Sequence, residues 1–429
     1  MVNAQPTHKT YWLLAYPLIL SSIATPLLGV TDTVVIGQSG DPRAIGGIAV
    51  GAVFFNTIYW LFGFLKVSTT GFSAQASGAN DVHALRTSLY RPLFLAACIG
   101  LLILLFRQPL EQIGLYLLAP PADLLDAVKT YISYRMIGAP FVLMGYALLG
   151  WLIGTGQVKH ALFVQLFSTG VNVVLDIGFV YGLDGGVAGI AVATVIAEIS
   201  IVVCSLYLIR GHLSMTRDEW RALTAWQAYR QFFQVNRDLF IRTIFLLLVT
   251  GWFTRAGGQF GPDILAANAI LLQIQYLISY WFGGLGHAST VLVGRARGHQ
   301  DQAGYRKSVR LARTFGFYSV VFWSLVLLFL ETPLLQLFTS EEAILDAARD
   351  YYFWIIILPL LAGWAMIYEG IFAGRVEATP VRNSMIQAGI GFAVVLLLTP
   401  TFGNQGVWAA FLTFFLIRSL SLILVEARR

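Results

Sequence analysis

The chain has 429 residues, of which 57% are hydrophobic and 12% charged, with a formal net charge of +6. Soluble domains carry about 25% charged residues, so this composition and the mean hydropathy of +0.72 exclude a soluble fold. The cations fall in alternate connectors, as membrane topology requires, which argues against a nucleic-acid partner.

Apolar runs long enough to cross a bilayer recur at 12–36, 44–78, 88–106, 124–154, 160–182, 186–210, 237–260, 264–297, 312–330, 345–373, 382–402 and 405–425. They predict an all-α polytopic membrane protein of twelve transmembrane helices. The first run, Tyr11–Ile36, is too long for a signal-peptide core and reads as a true span. Pro26 lies in it and removes one backbone hydrogen bond, which favours a kink. The longest polar stretch divides the chain into an N-lobe at 1–210, a cytoplasmic connector at 211–236 and a C-lobe at 237–429. Cys98 and Cys204 sit inside apolar runs as small buried hydrophobes, so no disulfide framework is expected.

With the N-terminus in the cytoplasm, the inner connectors collect Arg86, Arg91, Lys159, Arg210, Arg217, Arg221, Arg230, Arg237, Arg295, Arg297, Arg306, Lys307, Arg310, Arg313, Arg375 and Arg382. The outer connectors hold mainly Arg43 and Arg107. The positive-inside rule then places both termini of an inner-membrane protein in the cytoplasm.

The second half repeats the first at an offset of 220 residues. Over 44–86 and 264–306, Gly63, Thr70, Ala76, Gly78, Asp81 and Arg86 recur as Gly283, Thr290, Ala296, Gly298, Asp301 and Arg306. Gly186-Val187 likewise recurs as Gly406-Val407. Six spans separate equivalent points, so the halves insert with the same orientation. This predicts two six-helix lobes related by a pseudo-two-fold axis along the membrane normal, the build of transporters that alternate access between lobes.

Charged side chains at mid-bilayer are expensive and usually functional. Asp32 lies in span one with Val34-Val35-Ile36 still to follow. Asp176 lies in span five, one helical turn after Asn172. Both acids are one to two turns from the outer ends of their helices and are expected to face each other at one depth. A carboxyl held away from water beside a second one keeps a proton more readily than in solution. Such a site holds either a proton or a cation, which is what antiport requires. The competing reading is a pair of helix-end acids that reach the outer interface. Lys66, Arg135, Glu198, Arg242, Arg255 and Glu369 are further buried charges, and structural ion pairing is the alternative for each.

These residues carry a resemblance to the multidrug and toxic compound extrusion (MATE) family, in its DinF (DNA-damage-inducible protein F) branch. The match runs from about residue 11 to 425. It rests on Pro17 and Pro26 before Asp32, with Gly37 after it. It continues through Trp60-Leu61-Phe62-Gly63-Phe64-Leu65-Lys66, Thr69-Thr70-Gly71 and Ala74-Gln75-Ala76. Leu149-Gly150-Trp151-Leu152, Asn172 with Leu175-Asp176, the run Ala193–Glu198 and Arg382-Asn383-Ser384-Met385 complete it. The resemblance implies two lobes facing a central cleft. It implies export of amphipathic, often cationic compounds coupled to inward flow of protons or sodium, with Asp32, Asn172 and Asp176 as the N-lobe coupling residues. The chain departs from relatives by carrying Gly283 and Thr290 where acids occur in span eight. Its span ten offers Glu369 alone.

Hard cations want several oxygen ligands, so the C-lobe is poorly supplied for sodium and protons are the expected coupling ion. No other cofactor and no metal are expected. Tyr59, Phe62, Trp281 and Phe282 are the expected aromatic lining of the substrate cleft. The expected partners are small amphipathic molecules and membrane lipids, with the chain acting as a monomer. A flippase for lipid-linked precursors would want a cationic cleft, for which Lys66, Arg135 and Arg255 are available, but Asp32 and Asp176 argue against it. A channel would lack proton coupling. The six His are scattered without a metal-ligand or nucleophile pattern, so an enzyme is not expected.

Overall fold

The computed structural model describes residues 6–24, 26–37, 41–214 and 226–428. In chain order the α-helices are α1 His8–Ala24, α2 Leu27–Gly37, α3 Pro42–Phe62, α4 Phe64–Gly78, α5 Val82–Leu105, α6 Arg107–Leu118, α7 Leu125–Arg135, α8 Ala139–Gly154 and α9 Val158–Ile177. They continue with α10 Gly186–Leu208, α11 Trp226–Gly257, α12 Pro262–Gly298, α13 Gln302–Phe329, α14 Glu331–Gln336, α15 Glu342–Gly374, α16 Thr379–Leu398 and α17 Gly403–Ala427. Among the described residues, eleven helical runs from Pro42 onward are long and apolar enough to cross a membrane. With α1 and α2 counted as one further span, the twelve expected spans are present.

Several spans are jointed where a single helix was expected. Span one stops at Ala24 and restarts at Leu27, with Pro26 in the break. At the 220-residue offset Pro26 becomes Leu246, and α11 runs unbroken from Trp226 to Gly257. Pro26 lacks the N–H that a continuous helix needs, although Pro17, Pro92 and Pro359 sit inside unbroken helices. The expected connector at 211–236 is also shorter than the sequence suggested, since α11 begins at Trp226. Arg217 and Arg221 lie outside the described residues.

The chain forms two compact units. One contains Leu20–Phe233, and the other contains Gln234–Arg429 together with Met1–Ile19. Residues 6–19, expected in the N-lobe at 1–210, thus group with Gln234–Arg429. The reason is side-chain chemistry that periodicity does not register. The Tyr11 hydroxyl donates to Leu285 O at 3.0 Å and lies 2.9 Å from Ser289 Oγ. Its ring stacks on Phe315 at 4.5 Å. Ile19 packs directly on Gly284, where a β-carbon would stand 2.6 Å from the Ile19 backbone.

The sequence repeat is also a packing repeat. In the first unit the Thr70 hydroxyl lies 2.8 Å from Lys66 O and 3.1 Å from Gly150 O. In the second, the Thr290 hydroxyl lies 3.0 Å from Gly286 O and 2.9 Å from Gly370 O. All three positions shift by 220. The Asp81 and Asp301 carboxylates accept from Ala84 N and Gly304 N, each at 2.9 Å, and cap α5 and α13. Small residues let these backbones meet, as in membrane helix pairs generally. A β-carbon at Gly150 would stand 2.6 Å from Lys66 O, and one at Gly370 would collide still harder with Gly286 O.

Backbone on both sides leaves no flexible group to move aside. Gly370→Ala is therefore expected to cost about 1–3 kcal/mol of stability, the usual range for overpacking. Gly150→Ala should cost a comparable amount. Thermal unfolding of the purified protein in one detergent measures both, and a Gly370→Ala melt matching wild type would remove this contact from the account.

Candidate functional site

Four helices of the first unit bring polar groups to one point. Asp32 comes from α2, beyond the proline break. Asn172 and Asp176 come from α9, where spacing of four residues puts them on one face. Thr194 comes from α10, and Tyr131 from α7. Asp32, Asn172, Asp176 and Thr194 are all buried, with Asp176 fully so. Just past Asp176 the helix widens into one π turn at Gly178–Gly182, and from it the Tyr181 hydroxyl donates to Val35 O at 2.7 Å. This ties the end of α9 to α2.

Asp32 takes hydrogen bonds on both oxygens. Asn172 Nδ2 donates to Oδ1 at 3.2 Å. Thr194 Oγ1 and the Tyr131 hydroxyl approach Oδ2 at 3.1 and 3.4 Å. The Asp176 carboxyl sits beside Asp32, yet neither of its oxygens finds a donor among the described residues, and neither does Asn172 Oδ1. Buried acceptors without donors are costly. A proton on Asp176 would convert one of its oxygens into a donor.

A charged pair stands behind this site. Arg135 Nη1 donates to the Tyr131 hydroxyl at 3.0 Å, and Arg135 Nη2 meets Glu198 Oε1 at 2.5 Å. The guanidinium lies over the rings of Phe55, Tyr131 and Tyr59, with its carbon 5.0, 5.7 and 6.0 Å from their centroids. A hydrogen-bonded chain thus runs from Glu198 through Arg135 and Tyr131 to Asp32.

Asp32, Asn172 and Asp176 come together, and Arg135 and Glu198 pair one step away. Lys66 has no ion-pair partner among the described residues and lies apart from them on α4. Glu369 belongs to the second unit. It accepts from Arg242 Nε and Nη2 at 3.2 and 2.8 Å, and from Arg418 Nε at 3.1 Å. Arg255 is exposed and lies 5.3 Å over the Trp252 ring.

Among the expected aromatic lining, Tyr59 is buried beneath Arg135, and Phe62 is half-buried against Phe64. Trp281 donates to Ser319 Oγ at 3.0 Å and stacks on Phe322. Phe282 is corrected outright. It is 1% exposed and its ring packs on Gly363 inside the second unit, so it lines no open surface.

Sequence reasoning missed Tyr131, Thr194 and Arg418. The signal for the first two was present as i, i+4 spacing, since Tyr131 precedes Arg135 and Thr194 precedes Glu198 by four residues. The site has no counterpart in the other half. At the 220 offset Asp32, Asn172, Asp176 and Thr194 become Trp252, Phe392, Leu396 and Phe414.

The sequence profile of the MatE family matches residues 17–177 and 239–401. The chain is 36% identical over 423 residues to the DNA damage-inducible protein F of Escherichia coli (strain K12), covering 98% of this chain and 92% of that protein. It is 22% identical to the probable multidrug resistance protein NorM of Acinetobacter baylyi, covering 94% of this chain and 92% of the relative. The fold is similar to the crystal structure of the Vibrio cholerae MATE transporter VcmN in the bent form. That likeness has a TM-score of 0.85 at 19% identity and covers 98% of this chain and 96% of that one.

Proposed function

The chain belongs to the MatE family, and from that premise we propose that it is a proton-coupled exporter of amphipathic, mostly cationic organic compounds. The multi-pass helical build and the bacterial relative support a location in the inner membrane. We assign both termini to the cytoplasm from the cation distribution. The relative named as a probable multidrug resistance protein supports drug-like substrates.

The observation that carries the reading is the buried meeting of Asp32 and Asp176 with no donor among the described residues for the Asp176 oxygens. In the outward-open state a proton enters and neutralises one carboxylate. The attraction for a cationic substrate falls, and the substrate leaves. The protonated site then returns to the inward-open state, releases its proton and rebinds substrate. Asn172, Thr194 and Tyr131 hold Asp32 in place throughout.

The same orphaned oxygens carry a second reading, in which sodium is the coupling ion. Asp176 Oδ1 and Oδ2 and Asn172 Oδ1 are the ligand type that a hard cation takes. The proton reading is favoured because one proton meets the deficit without assembling a full ligand shell. Arg135, one hydroxyl away from Asp32, also repels a further fixed cation.

The test is reconstitution of the full chain in liposomes with a permanently charged cationic dye. An imposed pH gradient at equal sodium should drive dye into the acidic compartment, with loss of protons from it. Dye that ignores the pH gradient but follows a sodium gradient at equal pH overturns the proton assignment.

A further inference from the structure

Arg306, Lys307, Arg310 and Arg313 occupy the first turns of α13, and all four are exposed. Arg306, Arg310 and Arg313 are spaced i, i+4, i+7 and so stand in one row along the helix. Phe317 extends the row at 54% exposed, with Tyr318 and Phe322 also exposed beside it. The far side of α13, with Ser308, Val309, Ala312 and Gly316, is buried in the unit. At ~1.5 Å per residue the cation row spans about 10 Å and ends about 6 Å before Phe317. Exposed rings on a membrane span face acyl chains. Cations one turn earlier on the same face therefore lie at headgroup depth.

The repeat shows that topology alone does not demand this row. At the 220 offset Lys307, Arg310 and Arg313 correspond to Thr87, Tyr90 and Leu93 of α5, and only Arg306 keeps its cation, as Arg86. The cations of α5 are turned to protein groups. Arg86 Nη2 donates to Ser214 Oγ at 2.8 Å, and Arg91 lies over the Tyr229 ring at 5.7 Å. The four on α13 have no ion-pair partner among the described residues. Charge complementarity and continuity with the lipid-facing rings name one occupant. We propose that this face of α13 binds the phosphate headgroups of anionic phospholipids in the inner leaflet.

Each cation near an anionic surface contributes roughly fivefold in affinity. The full chain in detergent would be titrated with phosphatidylglycerol or phosphatidylcholine, and bound lipid counted by native mass spectrometry. Wild type should prefer phosphatidylglycerol by about tenfold or more. The variant carrying Arg306→Gln, Lys307→Gln, Arg310→Gln and Arg313→Gln should lose that preference. Lys159→Gln with Arg230→Gln, two exposed cations of the other unit, should keep it. If the fourfold variant does not fold, Arg310→Gln with Arg313→Gln is expected to lose part of the preference. If the α13 variants bind phosphatidylglycerol as wild type does, the proposal is sunk. Displacement of the lipid by an equal concentration of inorganic phosphate also sinks it, because the face would then recognise free anions.

Discussion

Asp32→Asn is expected to leave a folded protein that carries no proton-driven flux. Asparagine has nearly the shape of aspartate, and its carbonyl still accepts the bond from Asn172 Nδ2, now held at 3.2 Å. Its amide nitrogen faces the hydroxyls of Thr194 and Tyr131, which accept as readily as they donate. The local structure therefore has no reason to collapse. What disappears is one of the two carboxylates of the coupling pair; Asp176 remains, and without the neighbouring charge of Asp32 it is expected not to couple. For one-for-one exchange with a monovalent cation, each pH unit sustains about a tenfold substrate gradient. The variant should sustain none, at any imposed pH difference. The measurement is steady-state dye accumulation in liposomes against pH gradient, with thermal unfolding run alongside. Accumulation that keeps the wild-type slope removes Asp32 from the coupling step. A collapsed melt moves the question to an Asp32→Glu variant, which keeps a titrating group and should retain the slope.

The parts of this site that were legible in the sequence are those where apolar context makes a residue expensive. Asp32 and Asp176 stand out because a carboxylate inside a span needs a reason to be there, and Asn172 is found one turn from Asp176. Thr194 and Tyr131 do not stand out, since a hydroxyl inside a membrane helix can bond its own backbone, as Thr194 does to Ile190 O at 2.9 Å. Their role appears only when four helices are assembled. The number of spans follows from run length, but their joints do not. Pro26 marks a break that α11 lacks. The attachment of residues 8–19 to the second unit depends on where the Tyr11 ring lands, which no periodicity encodes. The 220-residue repeat shows the same limit from the other side. It carries over the Thr–Gly crossings intact, yet Trp252, Phe392, Leu396 and Phe414 stand where the first unit has its polar groups.

Divergence between the halves also decides where charge is structural, and this gives a second large effect. Glu198→Gln should destabilise the protein by about 3–5 kcal/mol, the cost of leaving a buried charge without its partner. Arg135 is 12% exposed and Glu198 6%, so water does little to screen the loss. Glu369→Gln should cost at least as much, because Glu369 separates two guanidiniums, Arg242 and Arg418, which would then repel each other. Removing both partners tests the argument more sharply than removing one. Glu198→Gln with Arg135→Met leaves no unpaired charge, and replacement of a whole buried pair is often neutral or stabilising. The double variant should therefore melt near wild type while Glu198→Gln alone melts far below it. If the double variant is as unstable as the single one, the destabilisation comes from lost packing around Tyr59 and Phe55, and the ion pair is not its cause. Dye accumulation in the double variant then separates the two roles of Arg135. If the guanidinium only holds Glu198, the pH slope survives. If it also balances charge at Asp32 through Tyr131, the slope changes although the fold does not.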